Sequence, residues 1–266
     1  MLKDITIGQY FPGKSVIHRM DPRFKIIITA LYITILFCAK EMIGLTVGIA
    51  FLILVLLLSK IPVNMMLKAL KPIVPIIIFT SVLNLFFIDG VAVFKWWIFK
   101  ITDTGIETSI FMVIRIICLI AGTSLLTYTT SPITLTDAIE RLLSPLKKIK
   151  VPVHELAMMM TIALRFIPTL IEETDKIMSA QKARGADLES GGLMQRAKAL
   201  IPILIPLFVS AFRRAEELAL AMECRCYHGG EGRTRLKQLK SEGRDYVAMA
   251  ITLLFLDMVV ALNCFL

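Results

Sequence analysis

Met42–Ser59 reads MIGLTVGIAFLILVLLLS, 18 consecutive residues without a charge. A bilayer's hydrocarbon core, about 30 Å thick, takes roughly 20 helical residues to cross, with about 17 as the lower limit. Outward from this stretch, charge-free runs recur at residues 26–39, 72–88, 116–136 and 246–266. They hold 14, 17, 21 and 21 residues, the last interrupted only by Asp257. The first is short, and the stems of Lys25 and Lys40 can lengthen it by snorkelling. The fourth is read as starting near Ile106, which carries Arg115 into the membrane region. These runs predict an all-α integral membrane protein with about five transmembrane helices.

Composition agrees. Of 266 residues, 56% are apolar and 19% charged, and the mean hydropathy is +0.75. Soluble domains carry about 25% charge and about 45–50% apolar residues. The excess excludes an ordinary soluble enzyme, a disordered chain and a disulfide scaffold. Cys38, Cys118, Cys224, Cys226 and Cys264 are scattered and odd in number, as expected of small apolar side chains in a reducing setting. About two dozen mostly polar residues precede the first apolar run, so no secretory leader is expected.

The net charge of +9 is read as a membrane-orientation signal and not as a nucleic-acid surface. The N-terminal arm holds Lys3, Lys14, Arg19, Arg23 and Lys25, and the loop after the second run holds Lys60, Lys68 and Lys71. The alternate loops hold Lys40, and then Lys95 with Lys100. This asymmetry predicts a cytoplasmic N-terminus and an extracellular C-terminus in the cell membrane. Trp96 and Trp97 then suit the outer interface, or else serve as core aromatics.

Residues 129–244 carry 18 basic residues yet are too apolar for a soluble domain. Residues 1–128 are read as an arm and four spans, 129–244 as a cytoplasmic region and 245–266 as the last span. With Pro145 and Pro152 at its start and Gly185, Gly191 and Gly192 in its middle, the region divides into helices near 134–147, 153–184 and 196–226. The second and third begin apolar and end charged. Glu172 and Lys176, and Arg213 and Glu217, are favourably spaced pairs. Pro168, Pro202 and Pro206 should kink these helices. Arg184 and Arg225 stand where each long helix stops, and Gly185 suits the left-handed residue that closes one. Superposing the arginines aligns Ala180 with Ala221 and Ile177 with Leu218. Each arginine can serve the helix dipole, or its planar head between small neighbours can enter an acidic groove of a partner.

Several stretches together resemble a known family. They are Gly8-Gln9-Tyr10, His18-Arg19-Met20-Asp21-Pro22-Arg23-Phe24-Lys25, Ala163-Leu164-Arg165-Phe166-Ile167-Pro168-Thr169-Leu170 and Ala180-Gln181-Lys182-Ala183-Arg184-Gly185. The sequence resembles the transmembrane (T) component of energy-coupling factor transporters, which are ABC-type importers of vitamins and metals. The resemblance implies a non-catalytic subunit with long cytoplasmic coupling helices. Two ABC-type ATPase subunits would dock at Ala183-Arg184-Gly185 and at Cys224-Arg225-Cys226; the second triplet matches the family by its arginine alone. It further implies a membrane-embedded substrate-binding S component as partner, with ATP and magnesium held by the ATPases and no cofactor on this chain. Met158, Met159, Met160 and Met178 offer an adaptable face for the S component, or internal packing.

Other motifs lead elsewhere. Gly8 to Ser15 fits the phosphate-loop spelling, but Pro12 removes a loop amide and Pro22 ends any helix from Ser15 after about seven residues. His154-Glu155 lacks the second histidine of a zinc protease, since Met158 takes its place. Cys224, Cys226 and His228 provide three ligands without a fourth. Arg115 and Asp257 at membrane depth are read as a structural pair or as snorkelling groups. Gly44 and Gly48 have the spacing of a close helix contact. A self-sufficient channel or secondary transporter would need repeats and clustered ionisable groups that five spans do not offer. An intramembrane hydrolase would need catalytic groups meeting at one depth.

Overall fold

The computed structural model describes residues 10–88, 92–96, 99–186, 192–229 and 239–265. Gly8, Gln9, Trp97, Gly191 and Gly230 lie outside the described residues, and of Trp96 only the backbone is described. The chain separates into two compact units, one of Gly8–Ala138 with Leu239–Leu266 and one built on Ile139–Gln238.

The first unit opens with the one-turn helix α1 (Val16–Arg19), followed by α2 (Pro22–Cys38) and α3 (Met42–Ser59). The start of α2 is dictated locally. The Asp21 carboxylate caps the Arg23 amide at 2.9 Å, and Pro22 takes the first helical position, where its missing N–H costs nothing. After α3 come α4 (Val63–Leu70), a 3₁₀ turn at Lys71–Ile73 imposed by Pro72, and α5 (Val74–Phe87). Strands β1 (Ala92–Trp96) and β2 (Phe99–Thr102) then form a small antiparallel hairpin, with Lys95 opposite Lys100. This hairpin is a local exception to an otherwise helical fold. Its alternating branched and aromatic residues favour extended backbone. Helix α6 (Asp103–Thr129) follows, with the Thr102 hydroxyl accepting from the Gly105 amide, and α10 (Gly243–Phe265) ends the unit.

The core of this unit gathers Tyr32, Leu36, Leu45, Phe51, Leu125 and Tyr128. Tyr32 stacks on Phe51 with ring centroids 5.5 Å apart. Small residues permit the approach. A Cβ on Gly48 would meet Leu36 Cδ2 at 2.7 Å, and one on Gly122 would meet Tyr32 Cε1 at 2.3 Å. Gly44 and Gly48 therefore do mark a close contact of α3 with α2, as their spacing predicts. Gly122 is a further close contact that no spacing announced.

Five described helical stretches are long and apolar enough to cross a membrane: Met42–Ser59, Val63–Phe87, Asp103–Thr129, Val153–Ala183 and Gly243–Cys264. The chain is thus an integral, multi-pass membrane protein. Within Val63–Phe87 only Met66 and Ile77 are buried within the chain. Such a surface belongs against lipid. The number agrees with the sequence reading, but one member differs. The stretch at 26–39 falls in α2, whose 17 residues span about 26 Å and stand at the lower limit for a crossing, and Val153–Ala183 also has the length and composition of a span, with the lowest hydropathy of the five, 1.3. Lys25 does not snorkel. It is buried, and its Nζ donates to the Thr129 carbonyl (2.9 Å), the Thr130 hydroxyl (3.2 Å) and the His18 carbonyl (3.4 Å).

Of the two readings of Arg115 and Asp257, a structural pair or snorkelling groups, the structure does not pair them with each other. Arg115 donates to the Ala39 carbonyl and lies over the Phe111 ring, 4.4 Å from its centroid, whereas Asp257 is exposed on α10. Ala39 closes α2, where carbonyls lack helical donors and the dipole favours a cation. The Gly8–Ser15 motif ends in a helix of a single turn, with Ser15 capping the His18 amide.

The second unit holds α8 (Val153–Ala183) and α9 (Leu193–Glu223), each of 31 residues. Helix α7 (Pro132–Leu143) and a 3₁₀ segment at Ser144–Ile149 precede them. Pro168 lies inside α8, and Pro202 and Pro206 lie inside α9.

Two outcomes follow for the first unit. Gly122→Val drives a branched side chain into the buried Tyr32 ring and should cost about 1–3 kcal/mol, read as a lower melting temperature in detergent. Burial alone would raise the Asp21 carboxyl, but hydrogen bonds from Arg23 and the charges of Arg23 and Lys25 hold it below the ordinary carboxylate range. Asp21 therefore adds stability that is complete above its unfolded pKa and is lost as pH falls through the lower folded value. Asp21→Asn should be less stable than wild type at neutral pH, and the gap should close below about pH 4.

Candidate functional site: two arginine-capped helix ends

Helices α8 and α9 cross through polar contacts. The Ser210 hydroxyl donates to Glu173, whose other oxygen pairs with Arg214 at 3.0 Å. Gln181 Nε2 donates to the Pro202 carbonyl at 3.3 Å. That carbonyl needs the donor, because its usual helical partner four residues on is Pro206, which has no N–H. From Glu173 to Gln181 the chain of α8 advances while its partner positions on α9 retreat from Ser210 to Pro202, so the helices run antiparallel. This register sets Arg184 and Arg225 on opposite sides of the crossing. Arg184 falls opposite Ala199, and the 26 residues from there to Arg225 amount to at most about 40 Å along a helix axis.

Both helices stop in the same way. After α8, the Gly185 amide donates to the Lys182 carbonyl (3.0 Å) and the Ala186 amide to the Gln181 carbonyl (3.0 Å), with Gly185 left-handed at φ +84°. After α9, the Cys226 amide donates to the Glu223 carbonyl (2.8 Å) and the Tyr227 amide to the Met222 carbonyl (3.1 Å), with Cys226 left-handed at φ +56°. Each is a Schellman closure with an arginine directly before the left-handed residue. The 41-residue echo of the sequence is thus a repeat of backbone geometry. The second closure uses Cys226 and accepts the strain of a side chain in that conformation.

Ala183, Arg184 and Gly185 are exposed, as are Cys224, Arg225 and Cys226. A Cβ built on Gly185 meets no atom within 4 Å. Gly185 is therefore required by its backbone angle and not by packing inside the chain. Arg213 and Glu217 form the expected ion pair at 3.3 Å, both well exposed; such surface pairs contribute little. Met159 and Met160 are exposed, whereas Met158 and Met178 are half-buried, so the four methionines do not form one open face.

A larger apolar stripe lies on α9. Ile201, Leu204, Ile205, Phe208, Val209 and Phe212 are all exposed at spacings of three and four, which places them on one helix face. The charge-free run from Ala199 to Phe212 signalled it, but only the crossing geometry shows which side stays open. Elsewhere, His154 Nδ1 meets Glu140 at 3.0 Å. Among the described residues no group of three or more His, Cys, Asp or Glu side chains is arranged to hold a metal.

The two closures give a paired outcome. Gly185→Ala forces a side chain into the left-handed region and should cost about 1 kcal/mol, whereas Cys226→Gly should relieve strain of about that size. Thermal unfolding of the purified chain should therefore shift in opposite directions.

Comparison with known proteins completes the description. The family model described as cobalt transport protein (CbiQ) matches residues 13–236. A relative from Ruminiclostridium cellulolyticum is 54% identical over 263 residues, covering 99% of this chain and 98% of its own. Relatives from Clostridium kluyveri, at 57% identity with 93% of each chain covered, and Bacillus subtilis, at 50% with 92% of this chain and 93% of its own, carry the same description. All three are energy-coupling factor transporter transmembrane proteins, EcfT. Matched across nearly its whole length, this chain belongs to that family, the transmembrane components of energy-coupling factor transporters.

Proposed function

We propose that this chain is the non-catalytic coupling subunit of its transporter, passing ATP-driven motion from two ABC-type ATPase subunits to a membrane-embedded substrate-binding S component. One observation carries the reading. Two exposed arginines, each on the same Schellman closure, stand on opposite sides of an antiparallel helix crossing. Two tips set so far apart call for two receivers, and a pair of ATPases provides one groove for each. ATP and magnesium stay on those subunits. A guanidinium presented on a rigid closure between small neighbours suits an acidic groove, because it offers several donors at once.

Movement of the tips relative to each other is carried along α8 and α9 past Pro168, Pro202 and Pro206, where missing amide bonds soften the helices. It reaches their apolar halves. Two surfaces are thereby offered to the S component: the α9 stripe from Ile201 to Phe212, with half-buried Met178 of α8 at its level, and exposed Met159 and Met160 with half-buried Met158, which the antiparallel register sets at the Arg225 end of α8. The charged second half of α8, with Glu172, Glu173, Asp175, Lys176 and Lys182, is costly to place in hydrocarbon. Helix α8 is therefore read as rooted at the cytoplasmic face and not as crossing, with the N-terminus cytoplasmic and the C-terminus outside. The family description names cobalt and the relatives' names give no solute; a vitamin or metal micronutrient bound by the S component fits both.

Charge reversal tests the docking. Truncating one partner of a buried, hydrogen-bonded charge pair costs about 2–5 kcal/mol at an interface. Arg184→Glu or Arg225→Glu should therefore weaken capture of one ATPase by at least about tenfold and abolish uptake in cells. If the double reversal still captured both ATPases and transported normally, the docking role would be wrong.

A further inference from the structure

The membrane unit contains a partly open cavity of about 400 Å³ among α1, α2, α3, α6 and α10, within the range of about 300–1,000 Å³ typical of ligand sites. Its inner wall is apolar and buried, including Tyr32, Phe51, Leu52 and Leu125. Its mouth is apolar and exposed, formed by Leu54 and Leu58 of α3 with Val247 and Ile251 of α10. The opening therefore lies between two helices whose outer faces belong against lipid.

Only two charged residues line it, and both are cations, Lys25 and Arg244. They stand at one end, where α2 and α10 begin and where α3 and α6 finish. Lys25 is fully engaged with Thr129, Thr130 and His18. Arg244 is not. One of its terminal nitrogens pairs with Glu242 at 2.5 Å, while its Nε is shielded from solvent without any acceptor. From Arg244 to Thr252 the wall extends eight residues, or about 12 Å. One leaflet of hydrocarbon is about half of 30 Å, so the cavity holds most of one acyl chain.

We infer that this cavity is a site for an anionic phospholipid, one acyl chain entering between α3 and α10 and the phosphate meeting Arg244. An apolar slot capped by a cation with a spare donor matches that amphiphile and no polar solute. A zwitterionic phospholipid carries the same phosphate but brings its own cation beside Arg244 and Lys25, so an anionic headgroup is favoured by the net charge at this end.

The test uses the full-length chain in nanodiscs. Phosphatidylglycerol carrying a photoreactive group at the acyl terminus should label peptides containing Tyr32, Phe51 or Ile251. Equal labelling of the open α5 face around Phe79 would overturn the proposal, with no variant required. Native mass spectrometry should show one phosphatidylglycerol retained in preference to phosphatidylcholine. Arg244→Gln should reduce that preference about fivefold, as expected for one basic residue near a membrane surface. Ala248→Trp, which fills the slot, should abolish retention of both lipids. Retention of phosphatidylcholine at the same level by the wild type, a free fatty acid retained in place of phospholipid, or retention unchanged in Ala248→Trp would each overturn it.

Discussion

One carboxylate sets the geometry on which the rest depends. Glu173 accepts from Ser210 and pairs with Arg214, joining α8 to α9 at a single level. Because that contact and the Gln181–Pro202 bond define an antiparallel register, the arginine tips are sent to opposite sides. A parallel pair would have brought them together and offered one docking point. The same level contains the weakest backbone in α9, where Pro206 removes the donor for Pro202 and Gln181 supplies another. Rigidity from the ion pair and compliance from the prolines thus lie within a few turns of each other, as a lever that must bend without parting would need.

The membrane unit obeys a different constraint, that polar groups near lipid must find partners inside the chain. The block from His18 to Lys25 shows how. Asp21 caps α2 and accepts from Arg23, while Asp245 accepts from the Asp21 amide at 3.2 Å and from the Glu242 amide at 2.8 Å. Lys25 closes the end of α6, and Arg115 closes the end of α2. His18 donates from Nε2 to the Phe11 carbonyl at 3.0 Å and accepts from Ser15 at Nδ1, and burial holds its pKa below the usual range. These residues carry part of the resemblance read in the sequence, yet in this fold they tie helix ends together and leave little charge free for chemistry.

Much of this was legible in the residues themselves. Charge-free runs located the membrane helices, since a charge in hydrocarbon is costly wherever it falls. Gly185 foretold a left-handed closure because glycine alone meets no steric penalty there. The Gly44 and Gly48 spacing foretold a close contact for the same local reason. Where the residues alone did not decide, the deciding partner was distant in sequence: Lys25 turned inward to Thr129 and does not snorkel, and Arg115 took the Ala39 carbonyl, one of the readings left open for it being a pair with Asp257. The half-buried state of Met158 and Met178 is likewise set by what packs over them.

The sequence by itself determined that this chain lives in a bilayer, that two long helices end on arginines and that it belongs with the energy-coupling transmembrane proteins. Those facts depend on local preference and hydropathy, which act over a few residues. Only the folded structure revealed that Cys226 shares the closure of Gly185, that the α9 stripe from Ile201 to Phe212 stays open, and that the arginines face apart. The last two follow from how one helix is registered against another, a register fixed by contacts between residues far apart in the chain, whereas the Cys226 closure is local backbone geometry that a non-glycine residue does not announce.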